Sequence, residues 1–300
     1  MSRMHSHHDQ GAHDRRLLAV ALGLIVAYMA AEVVVGLLAG SLALLADAGH
    51  MLTDSAALGL AVFASWAASL PARGRFTFGF GRAEILAAQA NGVTLAVIAV
   101  VVLVEAAIRL ADPKVVDAPL VAIVAAAGIV LNGVVLAVLA HARRESLNLR
   151  GAYLHVATDF AAFLGTLVAA GLIAATGWNR VDPLASVGIA ALMFAAAWSL
   201  VRESGRIFLE GAPTSAPPSD VGRAIASHPG VVDAHDLHVW TVTSGFPALS
   251  AHVLVEPGAD CHRIRLELER MLRERFRLEH TTLQVEHVGV GRGLAIRRLS

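Results

Sequence analysis

Long apolar runs separated by short polar segments make up the first two thirds of the chain. Six of these runs have at least the roughly 20 residues that a helix needs to cross a bilayer. They lie at residues 17–38, 42–70, 83–110, 118–141, 147–176 and 183–207. The segments between them are short and contain Gly, Pro, Arg or Asp-Pro, which is typical of turns. The pattern therefore predicts an α-helical membrane protein with a bundle of six transmembrane helices at residues 17–210.

The hydrophobic pattern changes after residue 210. A Pro- and Ser-rich linker at residues 211–219 is followed, within residues 220–291, by segments typical of helix, strand, strand, amphipathic helix and strand. This α-β-β-α-β order predicts a small ferredoxin-like α+β domain with its helices on one face of the sheet. We expect a His-rich, disordered N-terminal tail at residues 1–16 and a C-terminal tail at residues 292–300.

Composition and charge agree with a membrane protein that carries a small soluble domain. Hydrophobic residues form 56% of the chain, and the formal net charge of zero gives no reason to expect a nucleic-acid partner. Arg residues collect in the N-terminal segment and in the second and fourth connections between runs. By the positive-inside rule, both termini of this multi-pass protein are predicted to lie in the cytoplasm, with the runs in the cytoplasmic (inner) membrane.

Two of the apolar runs each contain a His and an Asp four residues apart, although each charge in a membrane costs about 2.5–3.5 kcal/mol. The second run contains His50 and Asp54, and the fifth contains His155 and Asp159. Four residues are about one helical turn, so two facing helices would bring two imidazoles and two carboxylates together, as a tetrahedral zinc site requires. A His–Asp hydrogen bond between helices is the structural alternative. Asp47 lines the approach to this site or acts as a local charge or cap.

The predicted ligands narrow the cargo and the mechanism. Two nitrogens and two oxygens suit Zn²⁺, while cadmium, cobalt, nickel and ferrous iron remain compatible. Zinc binding requires deprotonated ligands and so releases protons, which predicts exchange of metal for protons. Because all four ligands come from the protein, no coordination position is left for a reacting water, and we expect no enzymatic activity. Other polar residues within the runs are expected to bond between helices or to line a hydrated path: Glu32, Gln89, Asn91 and Asn132.

Four motifs give the chain a resemblance to a known family. They read LLADAGHMLTDSAAL, FTFGFGRAE, LHVATD and DLHVWTVTSGFPALSAHV, and they occur in the expected order along nearly the whole chain. The chain resembles the cation diffusion facilitators, specifically their zinc-transporting branch. The resemblance implies a homodimer with cytoplasmic metal-binding domains that exports metal in exchange for protons. It also implies that the transport-site ligands are His50, Asp54, His155 and Asp159.

The chain departs from the pattern of these relatives at two places. Some relatives have zinc-binding histidines in the connection before the third run, whereas this chain has Phe76 and Phe80. We therefore predict no metal site in that connection. The second departure is Thr158, where a Gly more usually precedes the Asp, and this change leaves the predicted ligands in place.

The C-terminal domain contains a second set of residues able to bind metal. They are His235, His238, His252, His262 and Glu286. The resemblance implies that such residues form cytoplasmic zinc sites that stabilise the dimer or sense metal, and solvated surface histidines are the alternative. The predicted function is proton-coupled efflux of a divalent metal, with zinc preferred. The alternatives are the same carrier with another divalent cargo, and a membrane-anchored metal sensor, which needs no ligands within the membrane.

Overall fold

The computed structural model describes residues 4–39, 42–113, 117–141 and 146–289. The side chains at 4–13, 32, 35–39, 42–50, 53 and 120 lie outside this description. The chain divides into two units, Met1–Gly205 and Arg206–Ser300. The first unit is helical and the second contains the sheet, so the predicted fold class is confirmed.

Among the described residues, the first two thirds of the chain contain six long helices. They are α1 (Met4–Ala39), α2 (Leu42–Ala68), α3 (Arg82–Ala111), α4 (Ala118–Ala140), α5 (Leu147–Thr176) and α6 (Val181–Phe208). Within the described residues, α3, α5, α6 and the Val121–Ala140 part of α4 are long and apolar enough to cross a membrane, and α2 has a shorter apolar segment, Asp54–Ala68. The count of six spans therefore remains a prediction for α1 and α2.

Helix α1 begins much earlier than the sequence pattern suggests. The expected disordered tail covers residues 1–16, whereas the helix already begins at Met4. A helix that is nucleated by a long apolar segment extends at little cost until a residue breaks it. The segment before residue 17 contains no Pro and only Gly11 as a weak breaker, which accounts for the difference.

The bundle buries many small residues among larger ones and exposes large apolar residues on its outside. Buried positions include Ala21, Ala61, Ala88 and Ala152, which allow neighbouring helices to approach closely. Large apolar side chains such as Val97, Val101 and Ile108 of α3 are more than half exposed. Such an outward apolar surface suits lipid as the surrounding medium.

The C-terminal domain has the predicted α-β-β-α-β order. Its elements are α7 (Pro218–Ala226), β1 (Val231–Thr243), β2 (Phe246–Val255), α8 (Cys261–Phe276) and β3 (His280–His287). The sheet order is β1-β2-β3; β1 and β2 form an antiparallel hairpin, and β2 and β3 are parallel. Gly245 makes the hairpin turn with a φ of 72°, a conformation that favours glycine.

Both helices of this domain pack on one face of the sheet. One hydrophobic core contains Val221 and Ile225 of α7 together with Leu268 and Leu272 of α8. The strands add alternate residues of β2 to the same core, among them Val253. The opposite face of the sheet therefore carries the polar residues of β1, β2 and β3, including most of the candidate histidines.

Candidate metal site

Three of the four residues predicted to bind metal within the membrane lie together in the structure. Asp54 comes from α2, while His155 and Asp159 come from α5. The Nε2 atom of His155 lies 3.3 Å from Oδ1 of Asp54 and 3.6 Å from Oδ2 of Asp159. Each of the three offers a ligand atom within 4.8 Å of the other two. The side chain of His155 is only 6% exposed, and those of Asp54 and Asp159 are each 13% exposed, so the cluster is almost completely enclosed.

The imidazole of His155 presents one nitrogen to both carboxylates. The other ring nitrogen, Nδ1, is buried and has no hydrogen-bond partner among the described residues. The next turn of α5 is braced by Thr158, whose hydroxyl donates to the backbone carbonyl of His155 at 2.7 Å. His155 therefore has Nε2 directed at the point where the two carboxylates converge.

The register of α2 against α5 is set by a contact away from the cluster. The buried amide of Asn148 donates through Nδ2 to the carbonyl oxygen of Ala61 at 2.7 Å. Ala61 lies two turns after Asp54 on α2, and Asn148 lies two turns before His155 on α5. The two helices are thus antiparallel, and this hydrogen bond holds them at the register that joins Asp54 to His155. Sequence reasoning missed Asn148, because its partner is a backbone group that no sequence motif marks.

The cluster faces a small enclosed cavity of about 20 Å³. Its apolar wall contains Ile25, Met51, Leu58, Leu131, Val156 and Phe163. A cavity of this size holds about one water molecule. An ion that enters must therefore leave nearly all of its hydration water behind and take its ligands from the protein.

The fourth predicted ligand, His50, lies on helix α2 one turn before Asp54, but its side chain lies outside the described residues. The same holds for the side chains of Asp47 and Glu32. The structure therefore describes three members of the predicted set of four.

The polar residues expected to bond between helices behave differently from one another. Gln89 of α3 accepts a hydrogen bond from the hydroxyl of Ser204 on α6, as expected. Asn132 instead donates to the carbonyl of Gly128 in its own helix at 3.0 Å. Asn91 and Asn132 both line the cavity beside the cluster, so these two amides belong to the surroundings of the site.

In the C-terminal domain, three of the predicted histidines lie near one another. His235 and His252 are opposite residues of β1 and β2, with their ring centroids 5.6 Å apart. Asp236, which the sequence reasoning did not select, lies 3.1 Å from Nε2 of His238 and 3.9 Å from Nε2 of His252. Its φ of 50° places it in a bulge between His235 and His238, and this bulge directs its carboxylate toward both imidazoles.

The other two candidates of this domain are separate from that group. His262 is exposed in the first turn of α8, and Glu286 on β3 is opposite Leu254 and contacts Gln284. Among the described residues of this domain, no three acidic, His or Cys side chains have ligand atoms as close together as those of the membrane cluster. The arrangement offers pairs of donors on an open sheet face.

A cluster of carboxylates and an imidazole that is enclosed by apolar helices is typical of membrane carriers for cations. Comparisons with known proteins agree with this class. Residues 18–209 match the cation efflux transmembrane domain, and residues 217–288 match the cytoplasmic domain of cation efflux proteins. The chain therefore belongs to the cation efflux family, whose members are also called cation diffusion facilitators. It is a multi-pass membrane transporter for the efflux of metal cations.

Several relatives match almost end to end. The metal cation efflux system protein CzcD of Cupriavidus metallidurans is 37% identical over 287 residues, which cover 95% of this chain and 90% of that protein. The zinc transporter ZitB of Escherichia coli is 37% identical over 292 residues, covering 96% and 93%. The cadmium, cobalt and zinc/H(+)-K(+) antiporter of Bacillus subtilis is 37% identical over 288 residues, covering 94% and 92%.

A solved structure of the metal-bound C-terminal domain of the CzcD transporter, from the same Cupriavidus species, is 38% identical in sequence. It aligns with a TM-score of 0.22 and covers 23% of this chain and 94% of that one.

Proposed function

We propose that this protein exports Zn²⁺ from the cytoplasm in exchange for protons, and that Asp54, His155 and Asp159 bind the ion together with His50. The observation that carries the proposal is the enclosed cluster of one imidazole and two carboxylates between α2 and α5. His50 is one turn from Asp54 on the same helix, which suits it as the fourth ligand.

The charge of the cluster favours a divalent cation. Two carboxylates that face one imidazole in a nearly dry cavity are costly when both are ionised and no cation is present. A divalent ion balances both negative charges, and the neutral imidazoles add affinity without adding charge. With four protein ligands, no position is left for a reacting water, so we expect transport without hydrolysis.

The cavity and the ligand types favour zinc over the harder cations. Mg²⁺ gives up its water reluctantly and demands octahedral oxygen coordination, which a cavity of about 20 Å³ beside an imidazole does not provide. Zn²⁺ accepts four ligands of mixed nitrogen and oxygen type. The relative named as a cadmium, cobalt and zinc antiporter supports cadmium and cobalt as further cargoes.

The same ligand atoms supply the coupling to protons. A proton and a metal ion compete for the carboxylate oxygens and the imidazole nitrogen, so binding of metal expels protons. A bundle that opens alternately to each side would then carry metal outward and protons inward. The word antiporter in the name of the Bacillus relative supports this exchange.

The remaining parts of the proposal concern assembly and location. We assign the protein to the cytoplasmic membrane with both termini in the cytoplasm, because Arg-rich connections of multi-pass proteins are usually retained on that side. The C-terminal domain would join two copies into a homodimer. Zinc bound near His235, His238 and His252 would act there as a regulatory ligand that biases the conformation of the dimer.

Transport of zinc into proteoliposomes across an imposed pH gradient tests the proposal. We expect wild type to accumulate zinc when protons can move the opposite way, and Asp54→Asn, Asp159→Asn and His155→Gln to fall to the rate of empty liposomes. Asp112→Asn is the matched control, because it makes the same carboxylate-to-amide change at an exposed position at the end of α3 and removes no predicted ligand. Measuring the transport rates of cadmium and cobalt in parallel would show which of the three ions the protein prefers. Normal transport by folded ligand variants would exclude the proposed site, and absence of metal transport by wild type would favour the sensor.

A further inference from the structure

A third helix contributes a buried polar group to the cavity. Asn91 of α3 is 3% exposed and lines the cavity together with Asp54, His155 and Asp159. Its Nδ2 atom has no hydrogen-bond partner among the described residues. A buried donor without an acceptor is unfavourable, and such groups are rare in folded proteins.

Other buried amides of the bundle differ from Asn91 in this respect. Asn132, in the same cavity, donates through Nδ2 to the carbonyl of Gly128, and Asn148 donates to the carbonyl of Ala61. Both of these amides therefore have an acceptor for Nδ2 within the bundle. Among the described residues, the Nδ2 donor of Asn91 has no acceptor and faces the cavity without a hydrogen bond.

The backbone around Asn91 is held closely. A Cβ at the next residue, Gly92, would lie 3.0 Å from side-chain atoms of Leu200 and of Val201 on α6. One turn before Asn91, Ala88 is fully buried, and its Cα would lie 3.8 Å from a Cβ placed on Gly151 of α5. Close packing on both sides fixes the point from which the Asn91 side chain enters the cavity.

We infer that Asn91 is a positioning residue that sets metal specificity: its amide donates a hydrogen bond to the carboxylate oxygen that does not bind the metal. This inference rests on the proposed transport site. A carboxylate whose second oxygen is occupied by a donor binds metal through one oxygen only. Four single-atom ligands suit zinc, whereas a larger ion such as cadmium benefits from a second carboxylate oxygen. Asn91 therefore favours zinc over cadmium.

Equilibrium binding of ZnCl₂ and of CdCl₂ to the purified full-length protein in detergent tests the inference without requiring transport. Isothermal titration calorimetry measures the heat of binding. The part of this heat that is absent in Asp159→Asn comes from binding at the membrane site. Asn91→Leu has a similar volume and lacks the donor. We expect it to weaken zinc binding about 10-fold, as other groups that orient metal ligands do, and to weaken cadmium binding much less. Asn132→Leu is the matched control in the same cavity, and it should leave the ratio of zinc affinity to cadmium affinity unchanged.

A second variant tests whether Asn91 acts as a hydrogen-bond donor or binds the metal directly. Asn91→Asp keeps the shape but replaces the donor with an acceptor, so it should also weaken zinc binding. Tighter zinc binding by Asn91→Asp would mean that residue 91 binds the metal directly and would overturn the inference. An unchanged ratio of zinc affinity to cadmium affinity in Asn91→Leu would also overturn the inference and would mean that Asn91 serves only in packing. Wild-type binding by Asp159→Asn would instead show that the proposed site itself is wrong, and the inference would fall with it.

Discussion

Single residues decide whether the two halves of the candidate metal site meet. Asn148 joins α5 to α2 through its hydrogen bond to Ala61, two turns from His155. We expect Asn148→Ala to lower the free energy of unfolding by about 1 kcal/mol, typical of a hydrogen bond between membrane helices, and to weaken zinc binding several-fold. Thermal melting and zinc titration in detergent would measure the two effects.

Ser186→Ala provides the matched control for Asn148→Ala. Its hydroxyl donates to the carbonyl of Asp182 within the same helix, so its removal should change neither the register of α2 and α5 nor zinc affinity. Equal effects of the two substitutions on zinc binding would contradict the role given to Asn148.

In the C-terminal domain, one carboxylate makes the stability of a helix depend on pH. The backbone N–H of Arg263 donates to Oδ1 of Asp260 at 3.0 Å and holds the pKa of this carboxyl below its usual value of 3.8. A lowered pKa means that the stabilisation is complete above the unfolded value and is lost as the pH falls through the folded value. Asn also caps helices well, so Asp260→Asn removes the charge and keeps the acceptor.

We therefore expect wild type to melt higher than Asp260→Asn at neutral pH, with the difference shrinking as the pH falls below 3.8 and through the lower pKa of the folded state. Melting of the full chain, followed by circular dichroism, would measure it. Glu274→Gln, an exposed change in the last turn of α8, controls for general charge effects. A difference that persists at the lowest pH would contradict the assignment.

At the residue scale, the sequence predicted which side chains lie close together where spacing encodes geometry. Asp54, His155 and Asp159 were found because a separation of four residues places side chains on one helical face, and because charge in an apolar run needs a reason. Asn148 and Asp236 were not found. Asn148 bonds to a backbone carbonyl on another helix, and Asp236 depends on a bulge, and neither feature leaves a periodic signal in the sequence.

At the scale of elements, close contact between α4 and α5 shapes the cavity. A Cβ on Gly128 of α4 would lie 2.6 Å from ring atoms of Phe163, which lines the cavity one turn after Asp159. We expect Gly128→Ala to force the ring into the cavity or the helices apart. The protein should lose about 1–3 kcal/mol of stability, as overpacked cores do, and about 10-fold in zinc affinity.

Two further variants make this prediction specific. Gly171→Ala on α5 adds its methyl group where no atom lies within 4 Å, so it should be neutral or slightly stabilising. Combining Gly128→Ala with Phe163→Leu should recover part of the lost affinity, because the smaller side chain relieves the clash. Wild-type melting and zinc binding by Gly128→Ala alone would show that the contact does not control the cavity.

The helices were predicted closely because apolar runs bounded by Gly, Pro and Arg encode both length and ends. Helix α5 is predicted at 147–176 and observed over the same residues, with Ser146 as its N-cap and Gly177 in a left-handed C-cap. The beginning of α1 was not predicted, since polar residues carry no periodic signal when an adjoining helix simply continues through them. The bulge in β1 was missed for a related reason: strict alternation predicts a regular strand and does not reveal an extra residue.

At the scale of the whole molecule, the distribution of Arg residues predicts that the C-terminal domain faces the cytoplasm. The chain offers a direct probe, because Cys261 is its only cysteine and is partly exposed in that domain. We expect a membrane-impermeant maleimide to label inside-out vesicles at least about tenfold more than intact cells. Detergent-treated cells should label fully, and Cys261→Ser should remove the signal. Strong labelling of intact cells would indicate the opposite orientation. The site at Asp54 would then release metal on the same side of the membrane as the C-terminal domain. Histidines on that domain could then no longer sense cytoplasmic zinc.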